Sequence, residues 1–465
     1  MRIRTLAYVV SECTTDPQGR SSLKQKLVVR RGNCDPVTVM ETAASTPVPD
    51  PLEVCRFWGE SRNGAMSLLT GVFQRMAVQP DGSGVVFEVT PQVSLPIGTA
   101  ELPQGEGIFF VRADGRGGPR RIGPASRVPG AFLAPADPVV LCGIHLGSLK
   151  LYLETGRFFS VSPNGRSIAF IDLGPDAAGH EAPQVFLLDL QSGRRTQLTH
   201  QSRIQRPSYL DPGISFAKFV DNRTIEFFSG YPALGNLSEY RIKADGSGAP
   251  EEIPPPVVIQ GAHIVAQFGV TGTHLQLLLV NFPDKRPVNL PPCFPVSELF
   301  LLDGKNLRQL TNFGRTDTGF GSSFIARGRV FFQASANPLG ENPAEICQVF
   351  STNIFGSDLR QVTHLPSNGR PANGCYNLLG PVACGIDLFS LVPDQVTGTV
   401  LFETGCDPIG GNPDGNQLFA MRRDGSGLRQ VTATRGTTTD PDGTVHVEIP
   451  GPFAYSLGWR AETLP

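Results

Sequence analysis

The sequence predicts an all-β protein: a seven-bladed β-propeller of four-stranded antiparallel blades, closed by strands from both termini. Three observations in the 465 residues predict this fold. Strand-like segments recur in one order, with Asp-Gly or Asn-Gly turns between them. Several repeats end in a short Arg-Gln-Leu/Val-Thr segment, and each terminus carries an incomplete repeat. A propeller normally has four to eight four-stranded blades.

Six complete repeats follow one another along the chain. In each, an apolar strand is followed by a tight turn, a strand rich in β-branched and aromatic residues, a third strand that ends in a glycine turn, and a short fourth strand. The clearest copy covers 158–173 and 184–200, and the others begin near residues 73, 214, 264, 323 and 387. Asp-Gly and Asn-Gly accept positive φ, so they close hairpins whose twist matches the strands.

The two termini together supply the seventh repeat. Segments 5–12, 26–33 and 36–42 have the character of second, third and fourth strands, but no first strand precedes them. Near the other end, 445–459 is strand-like and has no partner after it. We therefore expect residues near 445–457 to pair with 5–12 in one sheet, which removes a free sheet edge.

We expect a single domain, 1–465, with long loop insertions at 43–70, 124–156 and 366–386. Part of the second, residues 139–156, is predicted to form either an extra hairpin or a short helix. In a blade of this connectivity, first-to-second and third-to-fourth turns lie on one face of the ring. Second-to-third loops and links between blades lie on the other, and here they are long. Ligand contacts are expected on this long-loop face, because loops carry binding while the scaffold provides rigidity.

Composition narrows the class of partner. Forty Lys and Arg residues against 42 Asp and Glu give a net charge of −2. Without a basic surplus we expect no nucleic-acid binding. No apolar run approaches the ~18 residues of a membrane span, and the first residues do not resemble a signal peptide. We expect a monomer.

Nine cysteines are present, without a C-x-x-C pair that would indicate a zinc ribbon or a thioredoxin-type motif. Several lie in Gly/Pro-rich segments, which favours disulfides and a periplasmic or secreted protein over nine small hydrophobic residues. Eight of the nine fall in long-loop segments; Cys34 does not. Cys375 and Cys384, nine apart in one link, are predicted to form a local disulfide.

Catalytic and cofactor motifs are scarce. There is no G-x-S-x-G elbow, phosphate-binding loop or H-E-x-x-H pattern, and the seven histidines are scattered. The Asp-rich segments 412–416 and 440–443 contain oxygen ligands of the kind calcium prefers, but turns are the favoured interpretation. No cofactor is therefore expected, with calcium as the alternative. Arg56 and Trp58 are the predicted binding residues, because Trp and Arg are frequent interface anchors; the alternative is that Trp58 packs against strand ends.

The repeats resemble the WD-like propeller repeats of the TolB family. The residues that carry the resemblance are Ser162-Pro163-Asn164-Gly165, Ile168-Ala169-Phe170, and the Gln-Leu/Val-Thr segments 197–199, 309–311, 361–363 and 430–432. Similar propellers bind partners in cell-envelope complexes, which implies a non-catalytic binding or scaffold protein that recognises a protein or a glycan. Others are enzymes such as metal-dependent oligogalacturonate lyases. The alternative is therefore a polysaccharide-active lyase or hydrolase with its site at the channel mouth. Between these two interpretations, we expect the binding or scaffold protein, which is not an enzyme.

Overall fold

A computed structural model describes most of the chain. The described residues are 5–32, 34–45, 55, 72–90, 104–127, 132–135, 140–141, 144–145, 149–152, 159–202, 214–229, 238–254, 256–269, 274–288, 295–319, 323–369, 375, 384–386, 391–393, 398–411 and 416–455. Apart from Cys55, which is helical, the regular secondary structure in them is β-strand. No helix in these ranges has the length and hydropathy needed to cross a bilayer.

Seven antiparallel sheets form the seven blades predicted from the sequence. Blade 1 contains β1 (Thr5–Thr15), β2 (Ser21–Arg31), β3 (Val37–Ser45), β32 (Gly436–Thr439) and β33 (Val445–Tyr455). Blade 2 contains β4 (Phe73–Val78), β5 (Gly84–Val89), β6 (Gly107–Arg112) and β7 (Arg120–Gly123). Blade 3 contains β12 (Ser160–Val161), β13 (Ser167–Pro175), β14 (Glu181–Asp189) and β15 (Arg195–Gln197).

The remaining four blades follow in chain order. Blade 4 contains β16 (Ile214–Phe219), β17 (Thr224–Ser229), β18 (Ser238–Lys243) and β19 (Glu251–Ile253). Blade 5 contains β20 (His263–Gly269), β21 (Leu275–Phe282), β22 (Val296–Asp303) and β23 (Asn306–Gln309). Blade 6 contains β24 (Ser323–Ala326), β25 (Arg329–Ala334), β26 (Gln348–Asn353) and β27 (Arg360–Gln361). Blade 7 contains β28 (Val392–Pro393), β29 (Thr399–Thr404), β30 (Gln417–Arg422) and β31 (Arg429–Gln430).

Both termini meet in blade 1, as predicted. Strand β33 pairs antiparallel with β1, in a register that places Leu6 opposite Tyr455 and Thr15 opposite Val445. The blade also has a fifth strand that the sequence did not predict. Strand β32 pairs with the start of β33 through a hairpin turn at 440–444, which gives the sheet order β3-β2-β1-β33-β32.

The described residues of the predicted insertion 124–156 include four short strands between 132 and 152. They pair as an extra hairpin, so the described part of 139–156 is not a short helix. Its outer ladder joins β8 (Phe132–Pro135) to β11 (Leu149–Tyr152), and its inner ladder joins β9 (Val140–Leu141) to β10 (Ile144–His145). The hairpin lies in the link between blades 2 and 3. A β-hairpin thus extends from the long-loop face at this link.

The Arg-Gln-Leu/Val-Thr segments have a structural explanation. In four blades the Thr hydroxyl donates a hydrogen bond to a Gln or Glu near the start of the third strand. The same hydroxyl accepts a hydrogen bond from the backbone N–H of the residue that follows this Gln or Glu. The four pairs are Thr199–Gln184, Thr311–Glu298, Thr363–Gln348 and Thr432–Gln417, with hydroxyl–carbonyl or hydroxyl–carboxylate distances of 2.6–2.7 Å. This contact, called here the Gln–Thr clamp, fixes the end of the fourth strand to the third.

Apolar side chains fill the spaces between blades. Because side chains alternate across a strand, each blade presents one apolar set to the blade before it and another to the blade after it. Among the described residues, six of the seven blade pairs share a cluster with apolar members from both sides. Between blades 2 and 3, for example, Val86 and Ile108 pack with Ile168 and Phe170.

Blades 4 and 5 share no such apolar cluster among the described residues. Ile225, Phe227 and Ile242 pack against blade 3, so the alternate residues of blade 4 face blade 5. The described members of that set include Lys218, Glu226, Glu239 and Arg241. Lys218 and Arg241 pair with Glu226 at 3.2 and 2.6 Å. The described apolar cluster on the blade 5 side also includes Val257, Ile259 and Ala262 of the link.

Candidate functional site

The two faces of the ring are unequal. The short-turn face carries tight turns such as Gln79-Pro80-Asp81-Gly82, where Gly82 has a φ of +73° that an L side chain rarely adopts. The long-loop face carries the second-to-third loops and the links. Strands β1 and β2 are 11 residues each, against six for most second and third strands. Their far ends and the β32–β33 hairpin therefore extend from the long-loop face.

Three disulfides in the described residues lie on the long-loop face. Cys13–Cys55 joins the end of β1 to the link after blade 1. Cys347–Cys375 and Cys384–Cys406 join the link after blade 6 to the second-to-third loops of blades 6 and 7. Each bond therefore fixes a blade-to-blade link to its neighbour. Three disulfides indicate that the protein folds in an oxidising environment.

The predicted Cys375–Cys384 disulfide is wrong. Both cysteines form disulfides, but Cys375 pairs with Cys347 and Cys384 with Cys406. The link crosses the boundary between two blades, so one end lies beside blade 6 and the other beside blade 7. Ile386 shows this crossing, because its N–H donates to Cys347 O at 3.1 Å while it also bridges to Thr404. Cys34, in a short turn, is a free and exposed cysteine.

The two loops held by these disulfides form, with Cys375 and residues 384–386, a structure that we call the 6–7 platform. It comprises loop 335–347 of blade 6 and the described part, 405–411, of the blade 7 loop. The two loops share the sequence Asn/Asp-Pro-Leu/Ile-Gly at 337–340 and 407–410. Both glycines have left-handed φ, +76° and +70°. The same turn therefore recurs in neighbouring blades, on one face.

Buried polar contacts hold the link residues of the 6–7 platform in place. Asp317 accepts the Cys375 N–H at 2.7 Å, and burial raises the pKa of this carboxyl group. Thr404 donates its hydroxyl to Gly385 O at 2.6 Å. A Cβ on Gly385 would stand 3.0 Å from Cys347 Cβ, so the close approach of link and loop leaves little room for a side chain. The link is thus held at both ends by covalent and polar contacts.

The base of the 132–152 hairpin is also fixed. Glu88 accepts the Ser126 N–H, and Asp172 accepts the Arg127 N–H at 2.6 Å. Glu88 pairs with the fully buried Arg75 at 2.7 Å. Burial raises the pKa of Glu88, although the Arg75 guanidinium opposes this effect. Because these carboxyl groups are buried and hold backbone amides, they anchor the start of the link.

A shallow cleft of about 390 Å³ lies beside this anchor. It is lined by Arg127, Leu173, Gly174, Pro175, Phe186, Arg195 and Gln197. Arg195 pairs with Asp172 and lies over the Phe186 ring at 4.1 Å, while Arg127 pairs with Glu181. The guanidinium groups of the cleft therefore already have protein partners.

The predicted binding residues Arg56 and Trp58 lie outside the described residues. Their neighbour Cys55 is described, and its bond to Cys13 places it beside blade 1 on the long-loop face. Of the two Asp-rich segments, 440–443 forms the β32–β33 turn: Asp442 accepts the Thr444 N–H at 2.9 Å, and Asp440 contacts His446. Residues 412–415 lie outside the described residues. No group of three or more His, Cys, Asp or Glu side chains in the described ranges is arranged to hold a metal ion.

Leu339 and Ile409, at the tips of the 6–7 platform loops, were not singled out by the sequence reasoning. They are 40% and 48% exposed. The repeated Asn/Asp-Pro-Leu/Ile-Gly sequence is the pattern from which these two residues could have been predicted. Among the described residues, the other exposed large apolar side chains are Val37, Val258, Val288 and Phe355.

Comparison with known proteins assigns no family to this chain. No family model matches this chain. No curated protein matches it. Among solved structures it is similar to the β-propeller domain of the Trilobed protease from Pyrococcus furiosus, at 11% identity over 82% of this chain and 89% of that chain, with a TM-score of 0.41.

Two larger proteins are similar to a comparable degree. An acylaminoacyl peptidase from Pyrococcus horikoshii has 10% identity over 91% of this chain and 52% of its own, with a TM-score of 0.44. Prolyl oligopeptidase B from Galerina marginata has 9% identity, 96% and 55% coverage and a TM-score of 0.43. The chain thus spans about half the length of these two proteins. Membership of the TolB family is not shown.

Proposed function

We propose that this chain is a non-catalytic binding or scaffold protein, periplasmic or secreted, that recognises a protein or a glycan through its long-loop face. One observation carries the proposal: all three described disulfides lie on that face and fix links to neighbouring loops or strands. A link held in one conformation loses less entropy when it binds, so such cross-links favour a preformed binding surface. The described turns of the short-turn face include tight turns such as 79–82 and 162–165.

Arg56 and Trp58 belong to this proposal as contacts near blade 1. They adjoin Cys55, whose disulfide connects that segment to β1. An indole that fills a partner pocket beside a guanidinium is a common anchor at the centre of an interface. The proposal also includes a monomeric protein without a resident cofactor.

Paired substitutions on the two faces test the proposal. One set changes the long-loop face by Trp58→Ala and Arg56→Ala; the matched set changes short turns by Asp81→Ala and Asp245→Ala. Binding of envelope proteins and of purified envelope polysaccharides to each immobilised variant is then measured. We expect the first set to weaken binding of one ligand by about tenfold or more, and the second set to leave it unchanged. Equal losses from both faces would contradict the proposal.

The alternative, a polysaccharide-active lyase or hydrolase, is tested by the same protein preparation. Incubation with polygalacturonate and with other polysaccharides, with and without added calcium, would release unsaturated or reducing ends if the chain were such an enzyme. Release that scales with protein concentration would replace the binding proposal.

A further inference from the structure

Among the described residues, the boundary between blades 4 and 5 differs from the other six in the side chains that line it. On the blade 4 side, Glu226 forms ion pairs with Lys218 and Arg241, at 3.2 and 2.6 Å. Glu226 and Glu239 are each only 7% exposed. We call Lys218, Glu226, Glu239 and Arg241 the seam cluster. It places buried carboxyl groups where the other boundaries have apolar contacts between blades.

The opposite side of this boundary is apolar and has its own covering. Leu278, Val280 and Phe300 of blade 5 pack with Val257 and Ile259 of the link between the two blades. The link therefore supplies apolar contacts that an adjoining blade supplies at the other boundaries. Separation of blades 4 and 5 would thus break no apolar cluster that the described residues of the two blades share.

Glu239 has the least favourable environment in the seam cluster. Strand pairing places Glu226 opposite Arg241 and Phe228 opposite Glu239, so the two carboxyl groups are diagonal neighbours on one face of the sheet. They share a hydrogen bond, which requires a proton between them. Both cations already pair with Glu226, and Glu239 Oε2 has no hydrogen-bond partner among the described residues. An ionised Glu239 would therefore be a buried carboxylate beside a second carboxylate.

The other charged groups around the boundary do not compensate Glu239. Lys243 and Glu251, on the same face of blade 4, are exposed. On the facing side of blade 5, Glu298 is the described titratable group in β21 and β22, and both of its carboxylate oxygens accept hydrogen bonds within that blade. Lys285, after β21, interacts with Glu298, and His263, at the start of β20, is exposed. Protonation of Glu239 is thus the change that matches its surroundings.

We propose that blades 4 and 5 separate reversibly when Glu239 loses its proton, so that the ring is closed in acidic solution and opens in alkaline solution. A neutral Glu239 can donate to Glu226 and tolerates burial, whereas an ionised Glu239 is better solvated by water in the open ring. Burial, followed by the Glu226 carboxylate, raises the pKa of Glu239 to about 7, although Lys218 and Arg241 oppose the rise. Closure is therefore fully favoured below about pH 4.5 and is lost as the pH rises through about 7. The device is independent of the ligand that the long-loop face binds.

Spin labels on neighbouring blades test this proposal directly. Ser247→Cys and Lys305→Cys place labels on exposed short turns of blades 4 and 5, and Arg116→Cys with Gln191→Cys is the matched pair on blades 2 and 3. Both pairs are made in the full chain with Cys34→Ser, because Cys34 is a free, exposed cysteine. The labelled background without added cysteines sets the baseline. Double electron–electron resonance then gives the distance distributions at pH 5.5 and 8.5.

We expect the blade 4–blade 5 pair to gain a second, longer distance at pH 8.5. The ratio of open to closed rings should rise about 30-fold between the two pH values, as a pKa of about 7 in the closed ring and 4.5 in the open ring requires. The blade 2–blade 3 pair should give one distance throughout. Glu239→Gln should keep the first pair at its short distance at pH 8.5, and the exposed control Glu252→Gln should not.

Three results would overturn the proposal. The first is a blade 4–blade 5 pair whose distance does not change at pH 8.5. The second is a longer distance that persists in Glu239→Gln, because its cause would then be a different group. The third is an equal change in both label pairs, which would show general unfolding of the ring. None of these results bears on whether the long-loop face binds a ligand.

Discussion

Glu298 accepts a 2.6 Å hydrogen bond from the Thr311 hydroxyl at the position where three other blades have glutamine. The glutamines also donate through Nε2: Gln184 to Gln201 O, Gln348 to Leu365 O, and Gln417 to Thr434 O. A carboxylate cannot make this donation. Blade 5 thus contains the one Gln–Thr clamp, among the four described, that buries an ionisable group.

Replacement of Glu298 by glutamine removes a buried charge. The other carboxylate oxygen, Oε1, accepts the Gly314 N–H at 2.7 Å, and a glutamine would lose one of these two acceptors. We therefore expect a net gain in stability only at a pH where the Glu298 carboxyl group is ionised. Burial raises the pKa of Glu298 above its ordinary value. The folded state then binds more protons than the unfolded state, so stability falls as pH rises from about 4.5 through the raised pKa. We expect Glu298→Gln to raise the free energy of unfolding by about 1–2 kcal/mol at pH 8 and by less at pH 4.5. Urea unfolding at the two pH values measures this difference.

The reciprocal change is the matched control. Gln348→Glu should lower the free energy of unfolding at pH 8, because it buries a carboxyl group and removes the donation to Leu365 O. If both variants shift stability in the same direction, the explanation of the Gln–Thr clamp is wrong.

A second pH effect is expected at the blade 4–blade 5 boundary. Burial, followed by the neighbouring Glu226 carboxylate, raises the pKa of Glu239 to about 7. Stability should thus decline between about pH 4.5 and 7. We expect Glu239→Gln to add about 2 kcal/mol of stability at pH 8.5 and little at pH 4.5. Thermal unfolding of the variant and of the exposed control Glu252→Gln checks this; a gain that is independent of pH would contradict it.

The connectivity of the disulfides is a third prediction. Chymotrypsin cleaves after Tyr376 and so separates Cys375 from Cys384. Mass spectrometry of the unreduced digest should find the pairs Cys347–Cys375 and Cys384–Cys406. We expect loss of either bond by Cys→Ser substitution of both partners to cost about 2–4 kcal/mol of stability. Detection of a Cys375–Cys384 peptide in place of these pairs would contradict the described platform.

Closure of the ring through both termini gives the fourth prediction. Ile449 on β33 is 2% exposed and packs in the cluster shared by blades 1 and 2. Ile449→Ala should cost about 2–4 kcal/mol in chemical unfolding, as buried Ile→Ala substitutions do. Thr438→Ala, on the exposed part of β32, is the control and should change stability by less than about 0.5 kcal/mol. Equal effects would argue against β33 as part of the core.

Local chemistry explains what the sequence could predict. Asp-Gly turns and alternating strands repeat along the chain, so the number of blades and the closure of β33 on β1 were predicted correctly. Cystine pairing was not, because Cys375 approaches Cys347 and Cys384 approaches Cys406 only once the link lies across the loops of two adjacent blades. Strand β32 was missed because Gly436 and the threonines after it lack the apolar residues that mark the other strands. The tips Leu339 and Ile409 are recognisable as a pair only once their loops are known to be adjacent.

Hydrogen–deuterium exchange, measured on the wild-type protein with and without its purified partner, tests most directly whether the long-loop face binds. We predict slower amide exchange on binding in 335–347, 405–411 and other long-loop segments, with no change in the short turns at 79–83, 162–166 and 423–428. Slowed exchange in these short turns, with none in the long-loop segments, would contradict the account.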